Sequence, residues 1–195
     1  MTNAKYIRNL VRLFATIACT SFPVLAQTAV PARVTQTIDE TKLTTLHGHV
    51  VPAANAANDR GPVNDSEHAG HIMLMLSRTT EQQRDLDTLA DQLHNVHSKN
   101  YHKWLTPAEF GRRFEPADED VAAVARWLKS KGFTIEEIPP SKTHITFTGT
   151  VGQLQQAFHV RVHYLSVHGE AHMSTMNDPE VPSPLAPVTA WWRPI

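Results

Sequence analysis

Along the middle of the chain the apolar positions change spacing from continuous to helical to alternating, and each change predicts an element. Ile72-Met73-Leu74-Met75-Leu76 is an unbroken apolar run, with the length and density of a buried central strand. Leu86, Leu89, Ala90 and Leu93 then recur at helical spacing, behind Thr79 or Thr80 as cap and Gln82 or Gln83 three positions on. Asp118, Glu119 and Asp120 load the first turn of a second long helix with the stripe Val121, Val124, Ala125 and Leu128. Lys129 and Lys131 suit its negative end, and Gly132 stops it. Residues 133–138 and 144–149 read as an antiparallel pair of strands. Ile145 and Phe147 alternate with Thr146 and Thr148, and Pro139-Pro140-Ser141-Lys142 makes the connection. Thr150 and Gln153 form a capping box for a helix facing inward through Val151, Leu154, Ala157 and Phe158. Val160, Val162 and Tyr164 alternate along the next strand, which His168-Gly169 turns back into residues 171–175.

The order is strand, helix, an inserted short helix with a second long helix, strand, strand, helix, strand. It predicts an α+β fold: a ferredoxin-like split βαβ antiparallel sheet with an inserted helical segment. Helices on one face of such a sheet leave the other face available for docking. The arrangement hosts many tasks, so it does not by itself choose one.

The ends set the compartment and the domain limits. Lys5, Arg8 and Arg12 precede an uncharged run, residues 13–25, that is shorter than the roughly 20 apolar residues of a membrane span. It closes on Val24-Leu25-Ala26, so residues 1–26 read as a signal peptide cut between Ala26 and Gln27, with a secreted or periplasmic product and no membrane association after removal. Cys19, the only cysteine, leaves with that segment, and the Thr16-Ile17-Ala18 ahead of it lacks the leucine of a lipoprotein signal. Residues 27–41 are polar and aperiodic and read as flexible, 42–177 as the domain, and 178–195, with five prolines, as an exit linker. Losing three cations and no acid moves the formal charge from −1 to −4, and protonating all 12 histidines would bring it to +8. This mixed balance offers no basic patch for nucleic acid and points to a protein partner.

One string remains after the elements are assigned: Tyr101-His102-Lys103-Trp104-Leu105-Thr106-Pro107-Ala108-Glu109-Phe110. Thr106 is placed as N-cap, Pro107 as first helical residue and Glu109 as the capping-box partner. Leu105 and Phe110 form the hydrophobic staple, and Tyr101 and Trp104 are expected to anchor the string to the domain. The string resembles the hallmark of the pro-kumamolisin activation domain, the N-terminal pro-segment of the sedolisin family of secreted serine-carboxyl peptidases. The resemblance spans most of residues 42–190. Leu46-His47-Gly48-His49-Val50-Val51-Pro52 with Asp59-Arg60-Gly61 looks like the family's leading segment, and Asp120-Val121-Ala122-Ala123-Val124-Ala125-Arg126-Trp127-Leu128 like its long helix. Gly149-Thr150 through Ala157-Phe158 matches its third helix. Asp178-Pro179-Glu180-Val181-Pro182 and Leu185-Ala186-Pro187-Val188 resemble the exit toward the peptidase body.

The resemblance implies a folding assistant and inhibitor of a sedolisin-type catalytic domain, released by acid. His102, His144, His159 and His163 are the candidate pH triggers, since histidine charges as pH falls through about 6.5. The family's catalytic Ser, Glu and Asp belong to a larger domain, and the chain has no nucleophile elbow, phosphate loop or paired carboxylates, so no catalytic residue and no cofactor is assigned. Thr189-Ala190-Trp191-Trp192-Arg193-Pro194-Ile195 stands where the family continues into the peptidase. Either a truncated precursor or a freestanding pro-domain acting in trans accounts for it. The alternative is an extracytoplasmic binding protein on the same scaffold, with metal as a candidate ligand. The pairs His47/His49, His68/His71 and His94/His97 have near-neighbour spacing, but they lie in separate segments without a His-Glu-x-x-His string, so no metal site is assigned.

Overall fold

The continuous apolar run becomes an inner strand, because its two edges and one face are all covered. A computed structural model describes residues 30–193; the predicted cleavage site at Ala26 and Gln27, and Cys19, lie outside that range. In chain order the elements are β1 (Leu43–Thr45), β2 (Asp59–Pro62), β3 (His68–Leu76), α1 (Thr80–His94), α2 (Pro107–Phe114) and α3 (Asp118–Ser130). They continue with β4 (Thr134–Glu137), β5 (His144–Thr150), α4 (Val151–Phe158), β6 (Val162–Val167), β7 (Glu170–Thr175), β8 (Glu180–Pro182), a single 3-10 turn (Ala186–Val188) and β9 (Thr189–Arg193). The main sheet is antiparallel throughout, in the order β4-β5-β3-β9. With α3 and α4 against it, this is the predicted mixed α+β, ferredoxin-like arrangement with α1 and α2 inserted before α3.

Register puts Ile72 opposite Phe147, and Leu74 opposite both Ile145 and Trp192. One face of β3 and β5 therefore presents Ile72, Leu74, Leu76, Ile145 and Phe147 to the core. There they meet Val121, Val124 and Leu128 of α3 and Val151, Leu154 and Phe158 of α4. Phe158 stands at the centre, with ring centroids 5.2 Å from Trp127, 6.1 Å from Phe133 and 6.2 Å from Phe147. Gly132, at φ +85°, supplies the left-handed residue that ends α3 and turns the chain into β4.

The fourth strand of the sheet is β9, whereas the pattern assigned that place to the strand near residues 160–164. Left-handed His159 (φ 53°) caps α4 and turns the chain away from the sheet, and His168-Gly169 (φ 53° and 86°) closes β6 onto β7. β2 occupies the other edge of β6, so β6 is the middle of a separate β2-β6-β7 sheet and has no free edge to give. The segment read as an exit linker fills the vacancy. Its prolines interrupt short extended pieces, between which Val181, Leu185 and Val188 are buried in the core, and β8 pairs with β1.

Part of the 27–41 segment, expected to be flexible, makes side-chain contacts with the domain where the structure describes it. Asp120, 1% exposed in the first turn of α3, accepts the backbone N–H groups of Arg33 (2.8 and 3.1 Å) and Val34 (2.8 Å) and lies 3.6 Å from the Arg33 Nε. The Arg33 guanidinium donates onward to the Pro187 carbonyl at 2.6 Å and to the Ser77 hydroxyl and carbonyl. One ion pair thus joins the leading segment, the end of β3 and the approach to β9. Asp120 was expected to act only on the helix dipole.

Candidate interaction surface

The α1–α2 hairpin rests on its own small cluster, in which Leu89, Leu93 and Phe114 are buried and Leu86, Leu105 and Phe110 pack around them. Polar contacts fasten its base: Gln82 donates from its side chain to the Arg113 and Glu115 carbonyls at 3.2 and 3.1 Å, and Arg78 donates from Nε to the Phe114 carbonyl at 2.9 Å. Thr79 and Gln82 cap α1 reciprocally.

The helix start read from residues 105–110 forms as expected. The Glu109 N–H donates to the Thr106 hydroxyl at 3.2 Å, the Thr106 N–H donates to the Glu109 carboxylate at 2.8 Å, and Pro107 occupies the first turn. The Thr106 N–H and then its hydroxyl hold the Glu109 carboxyl below its usual range. Leu105 and Phe110 both pack into the hairpin cluster, consistent with a staple.

Tyr101 and Trp104 do not anchor the string. They are 37% and 62% exposed, and Val96 on the same loop is 64% exposed. Their rings form a row on the surface: Tyr101 stacks on His102 at 3.8 Å, His102 faces Trp104 at 6.3 Å, and His94 meets Trp104 edge-on at 5.7 Å. His102 adopts φ 54° while its N–H donates to the Leu93 carbonyl at 3.1 Å. This strained backbone residue turns the chain so that the row faces solvent. Under the other side of α2 lies an open cavity of about 830 Å³, with Pro107, Phe110 and Gly111 on one wall and Lys142 on the other. Lys142 bridges the buried Glu115 at 3.6 Å and Asp118 at 2.6 Å, and the Asp118 bond holds its ammonium above the usual value.

The four histidines proposed as triggers lie on four separate elements. His102 belongs to the aromatic row, and His159 is the exposed cap of α4, its carbonyl accepting from the Asn177 side chain at 2.9 Å. His144, half-buried on β5, has Nδ1 3.1 Å from the Thr143 hydroxyl. His163 on β6 has Nδ1 2.8 Å from Asp59, whose carboxyl is held below its usual range by the Gly61 N–H and then by His163. His144 shares the outer face of the sheet with Thr146, Thr148, Met73 and Met75, all only half-buried and pointing away from the core face. Among the described residues no group of three or more His, Cys, Asp or Glu is arranged to hold a metal ion, and no helix is long and apolar enough to cross a membrane.

Sequence reasoning missed Asp178 as a tie. Its carboxylate accepts the N–H groups of Gly48 (3.2 Å), His49 (2.8 Å) and Val50 (3.3 Å), with His47 Nδ1 3.5 Å away, so the leading segment is clamped to the start of the exit segment. Burial pushes this carboxyl up, but the N–H groups and His47 outweigh it and leave it below the usual range.

A family model described as "Pro-kumamolisin, activation domain" matches residues 55–191, from the turn before β2 into β9. The chain is similar to xanthomonalisin of Xanthomonas sp. (strain T-22), 28% identical over 124 residues that cover 62% of this chain and 14% of that protein. It is also similar to sedolisin of Pseudomonas sp. (strain 101), 25% identical over 141 residues that cover 71% of this chain and 24% of that protein. The aligned region is thus a small part of each relative's length.

Proposed function

The chain belongs to the pro-kumamolisin activation-domain family, and from that membership we propose that it is the exported pro-segment of a sedolisin-type serine peptidase, assisting folding of the catalytic domain and inhibiting it until acid releases it. The observation that carries this reading is the extent of the family match, which takes in the whole ferredoxin-like body and most of β9. In this reading the chain contributes no catalytic group. It acts by mass action: a folded template that binds the native catalytic domain, and not its unfolded chain, stabilises the native form. The same binding serves a catalytic domain joined to it or one supplied separately.

Acid release follows from which ties fail first. Asp39, Asp59, Glu109 and Asp178 all have carboxyls held below their usual range. For such groups the stabilisation is present above the unfolded value, about 4, and is lost only as pH falls through the lower folded value. These four contacts therefore persist in mildly acidic solution. Histidines that face the partner charge earlier, as pH passes through about 6.5. His102 and His144 are exposed or half-buried on surfaces that could meet a partner, whereas His163 is paired with Asp59 within the domain.

The test is inhibition of a sedolisin-family catalytic domain by the purified chain. Strong inhibition at neutral pH that weakens at least tenfold by about pH 5, while the circular dichroism of the chain is unchanged, is the expected outcome. Absence of inhibition at every pH, or release that coincides with unfolding of the chain, contradicts it.

A further inference from the structure

The α1–α2 loop carries a surface that the fold does not use. Residues 92–108 contain no Asp or Glu, whereas His94, His97, Lys99, His102 and Lys103 all fall within them. Trp104, Val96 and Tyr101 expose large apolar area in the same place, and the rings of Tyr101, His102 and Trp104 lie within about 22° of one another in plane from neighbour to neighbour. The loop is held by its own polar groups. Asn95 accepts the His97 N–H at 2.9 Å, Ser98 accepts the Asn100 N–H at 3.1 Å, the Asn100 side chain donates to Gln92 at 2.6 Å, and the Leu93 carbonyl fixes His102. A loop ordered in advance, with its aromatic rings left in solvent, loses little further entropy on association. That combination marks a binding hot spot.

We propose that residues 94–104 form a docking ridge for the catalytic domain of a sedolisin-type peptidase, at a place where that domain presents an apolar recess rimmed by carboxylates. Trp104 fills the recess, and Lys99 and Lys103 pair with the rim. This rests on the pro-segment reading above. The absence of any acid across the ridge selects a carboxylate-bearing partner. One indole, one valine and part of a tyrosine match a single recess on a protein better than a bilayer interface, which takes a broad apolar face.

The experiment is titration of the purified chain and its variants against the catalytic domains of sedolisin and xanthomonalisin at neutral pH. Trp104→Ala is expected to weaken binding about 30-fold, and Trp104→Phe less than that. The double variant Lys99→Glu/Lys103→Glu is expected to weaken it about tenfold at low salt, with the difference shrinking at 1 M salt. All three keep the parent melting temperature, because the substituted side chains are exposed. Thr146→Arg, on the outer sheet face, is the comparison variant. If Trp104→Ala binds like the parent, whether or not Thr146→Arg abolishes binding, the ridge is overturned and the pro-segment reading stands. A parent chain that binds neither domain overturns both. Capture on phosphatidylglycerol vesicles that needs Trp104, with peptidase binding unaffected, assigns the ridge to a membrane and overturns the proposal.

Discussion

The main sheet with α3 and α4 against it and the α1–α2 hairpin are stabilised in opposite ways. The sheet body draws its core from a long-range network on one face of the main sheet: β3, β5, α3, α4 and the Val181–Val188 stretch all contribute side chains with almost no exposure, and Arg33 with Asp120 ties the chain's leading segment across them. The hairpin buries Leu89, Leu93 and Phe114 and otherwise depends on caps, on Gln82 and Arg78 at its base, and on turn residues in its loop. The first arrangement is expected to unfold as one unit. The second rests on three buried side chains and a few polar ties at its base and opens at lower cost, which suits a region whose outer surface is held ready for a partner.

The sheet body should respond most strongly to substitution. Phe158→Ala removes the ring that joins Trp127, Phe133 and Phe147 and should cost about 3 to 5 kcal/mol, read as a lower denaturant midpoint for the whole domain. A loss under about 1 kcal/mol would mean that the core there is loose. Asp120→Ala should follow at about 2 kcal/mol, reduced from the value for a fully buried pair because Arg33 retains some exposure. Its distinguishing sign is early proteolytic cutting near residue 33, and unchanged cutting there would show that the tie does not hold the segment. Leu93→Ala should also cost about 2 kcal/mol, but locally: amide exchange speeds up through α1 and α2 while the protection of β3 and β5 stays at the parent level. Equal loss in both regions would abolish the distinction between them. Thr106→Ala is the smallest, about 1 kcal/mol, confined to the first turn of α2. Its acid counterpart is protonation of Glu109. Because that carboxyl lies below its usual range, amide protection at the start of α2 should persist at pH 5 and fade only as pH falls below the ordinary glutamate range.

What the sequence made legible follows the same division. The reciprocal caps at Thr106 and Thr150, the Gly132 stop and the His168-Gly169 turn are decided by residues a few positions apart, and each was readable. The choice between β6 and β9 as fourth strand depends on which sheet edge is already taken, and alternation along a strand carries no information about that. The Arg33–Asp120 tie spans 87 positions, and an acidic first turn already has a sufficient local explanation. The buried Val181, Leu185 and Val188 were hidden by the prolines between them, although their regular recurrence was a signal. Exposure of Tyr101 and Trp104 was likewise unreadable from residue type, since large aromatics are buried more often than not. The acid-free interval of residues 92–108 was the one available hint that this loop faces a partner.

The central claim, that the chain is a template for a sedolisin-type catalytic domain, is tested most directly by refolding. Denatured sedolisin catalytic domain is diluted to native conditions with or without an equimolar amount of the chain, then acidified and assayed. Peptidase activity recovered several-fold better with the chain present, and silent until the acid step, is the expected result. Equal recovery with and without the chain, or full activity before acidification, would contradict it.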